Sequence, residues 1–204
     1  QLLFDVREHP HILQISNYST DSPLGPTVLF QPFDGVPLDA FLRRHPDLTF
    51  LQRVELVRQV GLGLAYCHRR RITHGALCPQ SVLVRQDERG ELDTKLINFQ
   101  LGRGENVTST LHVTSLMAEP WLVYQAPEVS EDPTLRGVES DLFSLGALAY
   151  FVLTGQPPAA NRAALLKKLE DDGHLDPLAV ADGIPTDAGD RGKSVASLIE
   201  DATK

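Results

Sequence analysis

Residues 74–83 read His74-Gly75-Ala76-Leu77-Cys78-Pro79-Gln80-Ser81-Val82-Leu83, with a histidine at one end and a β-prone run at the other. The run 81–84 is rich in β-branched and aliphatic residues, and 94–98 is a second run of this kind. Between them, 87–90 is made of residues that favour turns. The pattern predicts an irregular loop that leads into a short β-hairpin.

A strongly signalled helix precedes this loop. Thr49 followed by Gln52 is the spacing of a capping box, in which two side chains satisfy free backbone amides at a helix start. Three arginines, 69–71, close the helix, where cations meet the negative end of its dipole. Apolar and small residues recur at three- and four-residue steps and predict a buried stripe formed by Phe50, Val54, Val57, Gly61, Leu64 and His68.

The rest of the chain is predicted to be mostly helical. Helices are expected from Pro37 to Arg44, from about Ser140 to Thr154 with apolar residues nearly all round, from Asn161 to Gly173, and from about Ser194. Near the start, 11–15 and 26–30 predict a hairpin, whereas 102–123 lacks sustained periodicity and predicts a long loop.

Composition excludes several classes of protein. The 204 residues include 19 Lys+Arg and 27 Asp+Glu, a net charge of −8 that disfavours nucleic acid and anionic membranes as partners. No apolar run approaches the length of a membrane span. Two cysteines are too few for a disulfide scaffold, so a reducing cytoplasm is the expected compartment. The start, without a methionine, indicates a piece of a longer chain.

Four motifs, in this order, resemble those of the protein kinase catalytic domain. Residues 74–83 resemble the catalytic loop H-R-D-L-K-P-E-N-V-L, and 96–102 resemble the D-F-G strand. Residues 124–128 match Y-x-A-P-E, and 141–146 match D-x-[WF]-S-L-G. Residues 153–158 also resemble a turn of bacterial serine/threonine kinases. The chain is therefore identified as a member of the protein kinase superfamily.

The resemblance implies a mainly α fold. It implies the end of an N-lobe and hinge in residues 1–35 and a helical C-lobe, incomplete at its end, in 36–204. Four structural positions of the family are present, namely His74 and Phe99 in the packed spine, Asp141 holding the catalytic-loop backbone, and Glu128, whose arginine partner is expected beyond Lys204.

The residues that carry the chemistry depart from the family. Phosphoryl transfer needs a carboxylate near the substrate hydroxyl and oxygen ligands for magnesium. The family's catalytic Asp is Ala76 here, its catalytic-loop Lys is Cys78, its metal-binding Asn is Ser81 and its D-F-G aspartate is Asn98. The Arg of H-R-D is Gly75 and the Gly of D-F-G is Gln100. The resemblance thus implies a pseudokinase with no intact catalytic residue and no metal site.

Nucleotide binding is expected to be weak. The resemblance places Gln31 and Phe33 at the hinge, Leu83 under an adenine ring and Asn98 beside the phosphates. No glycine-rich phosphate loop is found, and the first lysine of the chain is Lys95, so no strand-three lysine is available to hold phosphates. ATP is therefore expected to bind weakly if at all, and magnesium is not expected as a cofactor.

Other interpretations of the same residues have less support. His74 is a candidate catalytic base, but the register favours a buried structural histidine. Cys67, His68, His74 and Cys78 are candidate zinc ligands, and the two cysteines a candidate disulfide, but the spacing departs from common zinc patterns.

Two functional hypotheses remain. The first is a regulatory or scaffolding module that binds protein partners, such as an active kinase or other domains of the same chain. The alternative is an ATP-dependent serine/threonine kinase with non-standard catalytic residues.

Overall fold

Six α-helices and five strands make up the parts of the chain that the structure, a computed structural model, describes. These parts are residues 8–19, 21, 23, 27–99, 119–180, 184 and 188–204. The strands are β1 (Ile15–Ser19), β2 (Thr27–Phe30), β3 (Val36–Pro37), β4 (Val82–Gln86) and β5 (Leu92–Leu96). The helices are α1 (Leu38–Arg44), α2 (Phe50–His68), α3 (Pro127–Glu131), α4 (Val138–Thr154), α5 (Arg162–Asp172) and α6 (Asp190–Ala202).

The strands form two small antiparallel sheets. β1 pairs with β2, and the second sheet has the order β3-β4-β5. The predicted β4–β5 hairpin is confirmed, with Val82 opposite Leu96. The prediction for the first hairpin is wrong in one strand, because residues 11–14 precede β1 rather than form it. Ile12 is fully buried and bridges Leu96 instead, so a tertiary contact with β5 takes these residues out of the hairpin.

The helix ends follow the local chemistry of the sequence. The capping box of Thr49 and Gln52 is present at the start of α2. Asn161 caps α5 through its side chain, which accepts a hydrogen bond from the Ala164 amide at 2.9 Å. α4 and α5 end at Gly155 and Gly173, whose φ angles of 71° and 78° lie in the left-handed region that glycine adopts without strain. α6 begins at Asp190, one turn earlier than predicted.

Helix α2 separates two hydrophobic cores, and this corrects its predicted stripe. Leu56, Val60 and Leu64 are each 1% exposed and belong to the core shared with β4 and β5. Val54 is only partly buried and packs against the second core, and the partly buried Val57 packs against both cores. Since α2 packs against both β5 and α4, apolar residues occur on two faces, and one helical stripe does not describe them.

Helix α4 contributes to both cores, as predicted for a central buried helix. Leu148 and Val152 lie in the first core, and Phe143 and Leu153 lie in the second. The mainly α fold is therefore confirmed. The predicted loop at 102–123 falls mostly outside the described residues, but its last part, Glu119–Tyr124, forms a 3-10 helix. Across the described residues, no helix has the length and apolar character to span a membrane.

Candidate functional site

Asp141 joins three parts of the chain at the start of α4. Its side chain is 1% exposed. It accepts hydrogen bonds from the backbone amide of His74 at 2.7 Å and from that of Gly75 at 2.8 Å. The predicted contact between Asp141 and this loop is thus confirmed. A third donor, missed from the sequence, is His68 at the end of α2, whose Nε2 lies 2.8 Å from the carboxylate.

The imidazole of His74 is fully buried and has a partner on each nitrogen. Nε2 lies 2.9 Å from the carbonyl oxygen of Ile97, which can only accept, so Nε2 carries the proton. Nδ1 accepts from the backbone amide of Ala76 at 3.3 Å. Burial lowers the pKa of His74, although the Asp141 carboxylate and the Ile97 carbonyl oppose this effect. The contact with the Ala76 amide requires the neutral ring, because a protonated Nδ1 cannot accept. The ring also packs on Phe99 with the centroids 4.6 Å apart.

Ser81 is turned into its own loop. Its side chain is 1% exposed, and Oγ donates to the carbonyl oxygen of Cys78 at 2.8 Å. The same Oγ accepts from the Cys78 backbone amide at 2.9 Å. The hydroxyl proton and one lone pair are therefore used within the loop, which weakens Ser81 further as a ligand for a metal ion.

The Cys78 and Ala76 positions supply no charge to this loop. Cys78 is buried among the residues of the second core, and burial raises the pKa of its thiol. A neutral thiol at this position cannot replace the ammonium of a lysine. Ala76 carries no side-chain acceptor for the proton of a hydroxyl substrate.

Asn98 lies directly beside this loop. The Ile97 amide donates to the Ser81 carbonyl oxygen at 2.9 Å and so brings the two degenerate metal positions to neighbouring parts of the chain. Asn98 is exposed and has a φ of 65°, a left-handed conformation that asparagine tolerates better than most residues. Its amide retains an oxygen but no charge, which makes it a weak ligand for magnesium.

Gln31 and Phe33, the residues predicted at the hinge, contact neighbouring strands in different ways. The Gln31 backbone amide donates to the Gln14 carbonyl oxygen at 2.8 Å. The Phe33 ring lies 4.8 Å from the Arg85 guanidinium carbon and 5.4 Å from Lys95 Nζ. Leu83, which is half-buried, is the cross-strand partner of Lys95, so Phe33 packs on the strands beside it.

A polar contact between α1 and the loop was not found from the sequence. Asp39 is 7% exposed and accepts a hydrogen bond from Gln80 at 2.8 Å. Its other oxygen pairs with Arg43 at 2.9 Å. The i,i+4 spacing of Asp39 and Arg43 is a local signal, whereas the Gln80 contact spans 41 residues and has none.

Arg162, at the start of α5, was also missed, and it holds the chain that ends the activation segment in the family. Its guanidinium donates to the carbonyl oxygens of Leu122 at 3.2 Å and of Ala126 and Pro127 at 3.1 Å each, and also to that of Gln125. Burial lowers the pKa of Arg162, and Glu128 and Glu131 partly oppose this effect. Glu128 is half-buried and lines a surface groove of about 620 Å³.

The candidate zinc site and disulfide find no support in the contacts. Cys67 and Cys78 are both free and buried, and burial raises the pKa of Cys67 to about 12. His68 and His74 are held by Asp141 and Ile97 instead. Among the described residues, no three ligand-type side chains come together as a metal site.

The order of motifs and the helical architecture define a domain with the protein kinase fold. The family model for the protein kinase domain matches residues 1–186, so the chain belongs to this family.

Two curated relatives come from Streptomyces coelicolor. The chain is 28% identical to the probable kinase PglW in an alignment 227 positions long, which covers 96% of the chain and 14% of the relative. It is 29% identical to the serine/threonine-protein kinase PkaA over 158 residues, which cover 77% of the chain and 28% of the relative. The chain therefore matches less than a third of the length of either protein.

Solved structures show the same fold. A crystal structure of the Rad53 kinase domain and SCD2 in complex with AMPPNP matches with a TM-score of 0.68 and 21% identity, covering 100% of this chain and 72% of that one. A second crystal structure of the Rad53 kinase domain and SCD2 gives 0.66 and 22%, covering 99% and 71%.

Proposed function

We propose that this is a pseudokinase domain that acts as a regulatory or scaffolding module and does not transfer phosphate. The observation that carries the proposal is the loop from His74 to Ser81. Its backbone is held by Asp141, as a kinase-like scaffold requires, while no carboxylate stands at Ala76. The arrangement keeps the packing of the fold without the groups that phosphoryl transfer uses.

Charges that kinases use in phosphoryl transfer are missing from the catalytic positions of this chain. A single transition-state charge or donor is typically worth ~3 kcal/mol, or roughly a hundredfold in rate. Ala76 and Cys78 each lack the charge found in the family, and Asn98 keeps only a neutral amide. The hydroxyl of Ser81 is already engaged with Cys78. Together these losses support a rate near the uncatalysed background.

The role left to such a domain is binding. The partner we propose is a protein, either an active kinase or another domain of the parent chain. Both curated relatives are far longer than this chain, which supports a function as one module among several. The two free, buried cysteines support a reducing compartment, and we place the domain in the cytoplasm.

The second candidate is an active serine/threonine kinase with non-standard catalytic residues. It is favoured by the names of the relatives, a probable kinase and a serine/threonine-protein kinase. In that case Asn98 would be the remaining candidate ligand for the metal, and its exposure leaves it accessible.

Autophosphorylation distinguishes the two candidates. We expect no incorporation of labelled phosphate from ATP and magnesium above a heat-inactivated control, because no charged group remains at the catalytic positions. The assay is run on the purified parent protein, with and without Asn98→Ala in this domain. Incorporation that Asn98→Ala abolishes would establish the second candidate.

Nucleotide binding gives a further prediction, measured by thermal unfolding. We expect millimolar ATP to shift the midpoint by less than about 1 °C, and magnesium to add nothing, because stabilisation by a ligand follows its affinity for the folded state. ADP and magnesium alone serve as controls. A shift of several degrees that requires magnesium would mean that Ser81 and Asn98 do hold the metal.

A further inference from the structure

Residues 9–13 join β1 to the helical lobe along β5. The Leu96 amide donates to the His11 carbonyl oxygen at 2.9 Å, and the Leu13 amide donates to the Leu96 carbonyl oxygen at 3.0 Å. Ile12, between them, is fully buried. The orientation of the β1–β2 hairpin on the lobe therefore depends on this short joint.

Two histidines form part of the joint and contact each other. The rings of His9 and His11 are 5.5 Å apart, edge to face. The His9 ring also packs on Tyr66 of α2 at 4.8 Å, and Tyr66 is covered in turn by the Arg70 guanidinium at 3.7 Å. The joint thus packs on an aromatic cluster that includes the positively charged guanidinium of Arg70.

The hydrogen bond of the His9 ring is that of a neutral imidazole, whereas the hydrogen bond of the His11 ring is compatible with either protonation state. His9 Nδ1 accepts from the His11 backbone amide at 3.2 Å, which a protonated ring cannot do. His11 Nδ1 lies 3.4 Å from the Thr94 carbonyl oxygen and acts as the donor there. Protonation of His9 would break the first contact and place a charge beside His11.

The surrounding charges oppose protonation of His9, whereas those around His11 are mixed. His9 is faced by His11, Arg69, Arg70 and Lys95, and His11 is faced by Lys95, Arg58, Asp93 and Glu55. The two carboxylates in this group already pair with cations: Asp93 with Arg85 and Lys95 at 3.1 and 3.3 Å, and Glu55 with Arg58 at 2.6 Å. A proton on His9 would therefore add to a positive field, whereas at His11 Asp93 favours the proton and Lys95 and Arg58 oppose it.

We propose that residues 9–13 form a pH-sensitive joint, which is closed on β5 when His9 and His11 are neutral and loosens when they are protonated. Partial burial is the largest cause that lowers the pKa of both rings. A lowered pKa in the folded state contributes stability that is present above the ordinary pKa of about 6.5 and is lost as the pH falls through the folded value. The joint is therefore closed at neutral pH and opens in mild acid.

Hydrogen exchange of the 204-residue chain tests the joint. We expect the protection factors of the Leu13 and Leu96 amides, corrected for intrinsic rates, to fall at least about fivefold between pH 7.5 and pH 5.5. Amides of α4, such as Leu148, should change less and report any global loss of stability. In a His9→Gln, His11→Gln double variant the fall should disappear, whereas His174→Gln should behave like the unmodified chain.

Two results would overturn the proposal. One is unchanged protection of Leu13 and Leu96 at the two pH values, and the other is an equal loss in the double variant. If the double variant does not fold, the imidazole resonances of the unmodified chain decide the matter. Titration of His9 and His11 clearly below pH 6.5 supports the joint, and titration at the ordinary value contradicts it.

Discussion

Asp141→Ala is expected to lower the free energy of unfolding by about 3 kcal/mol or more, the largest effect of any single substitution considered for this domain. The carboxylate accepts hydrogen bonds from the amides of His74 and Gly75 and from His68 Nε2. Alanine would leave these donors without this partner. The His74 amide is buried and the other two donors are partly buried. Each unsatisfied buried donor costs roughly 1–3 kcal/mol.

Chemical denaturation monitored by circular dichroism measures this effect. Asp171→Ala on α5 is the matched control, because Asp171 is exposed and the same atoms are removed without a buried donor. Asp141→Asn tests the effect of the charge separately from that of the shape. The asparagine side chain keeps one acceptor oxygen, but its NH2 group faces another donor, either a backbone N–H or His68. We expect it to fall between alanine and the unmodified chain. An Asp141→Ala protein as stable as Asp171→Ala would refute the anchoring role.

The proposed loss of phosphoryl transfer is compatible with this anchor, because the two depend on different atoms. Asp141 satisfies backbone amides, and those amides are present whichever side chains the loop carries. Ala76 and Cys78 lie on the same loop, but their side chains take no part in the contact. The contact made by Asp141 therefore does not depend on which side chains occupy positions 76 and 78.

Local chemistry explains why much of the fold follows from the sequence. A capping box needs residues only three positions apart, and Thr49 with Gln52 marks the start of α2 correctly. Gly173 ends α5 because a single residue determines a left-handed backbone conformation. The contact from Asp141 to His74 spans 67 residues and has no local signal, so only the family resemblance gave it.

Features that depend on tertiary contacts were predicted less well. Ile12 belongs to a β-prone run, but in the structure it forms a β-bridge with Leu96. Strand β1 therefore begins later than predicted, at Ile15. The predicted stripe of α2 is wrong because neighbours on two sides bury different faces of the helix, with Leu56 in the first core and Val54 packed against the second. In each case the deciding partner is distant in sequence, and periodicity contains no information about it.

Arg162 shows the same limit at the candidate site. In the sequence it is one cation at the start of an ordinary helix. In the structure its guanidinium reaches four carbonyl oxygens between Leu122 and Pro127, which precede it by 35 to 40 residues. Backbone acceptors have no sequence signature, so a clamp of this kind cannot be predicted from residue types. Its guanidinium thus holds the segment that carries Glu128.

Arg162→Met is the second substitution with a large expected effect. Methionine keeps much of the aliphatic length but removes all donors, so the four carbonyl groups lose their shared partner. We expect the free energy of unfolding to fall by about 2 kcal/mol. Hydrogen bonds to a charged group contribute more than neutral ones, but carbonyl groups that lack a full set of partners are partly tolerated.

Trp121 is the single tryptophan of the chain and lies next to the residues that Arg162 holds, so its emission should also shift to longer wavelength as the segment loosens. Thermal unfolding and tryptophan fluorescence measure the two effects. Arg162→Lys should have an intermediate effect, because the three N–H groups of an ammonium lie on one nitrogen and cannot reach four acceptors. Arg191→Met is the control. Arg191 is exposed on α6, so this substitution should leave both signals unchanged. Unaltered emission and unfolding temperature in Arg162→Met would mean that packing of Val123 and Tyr124 in the second core alone holds this segment.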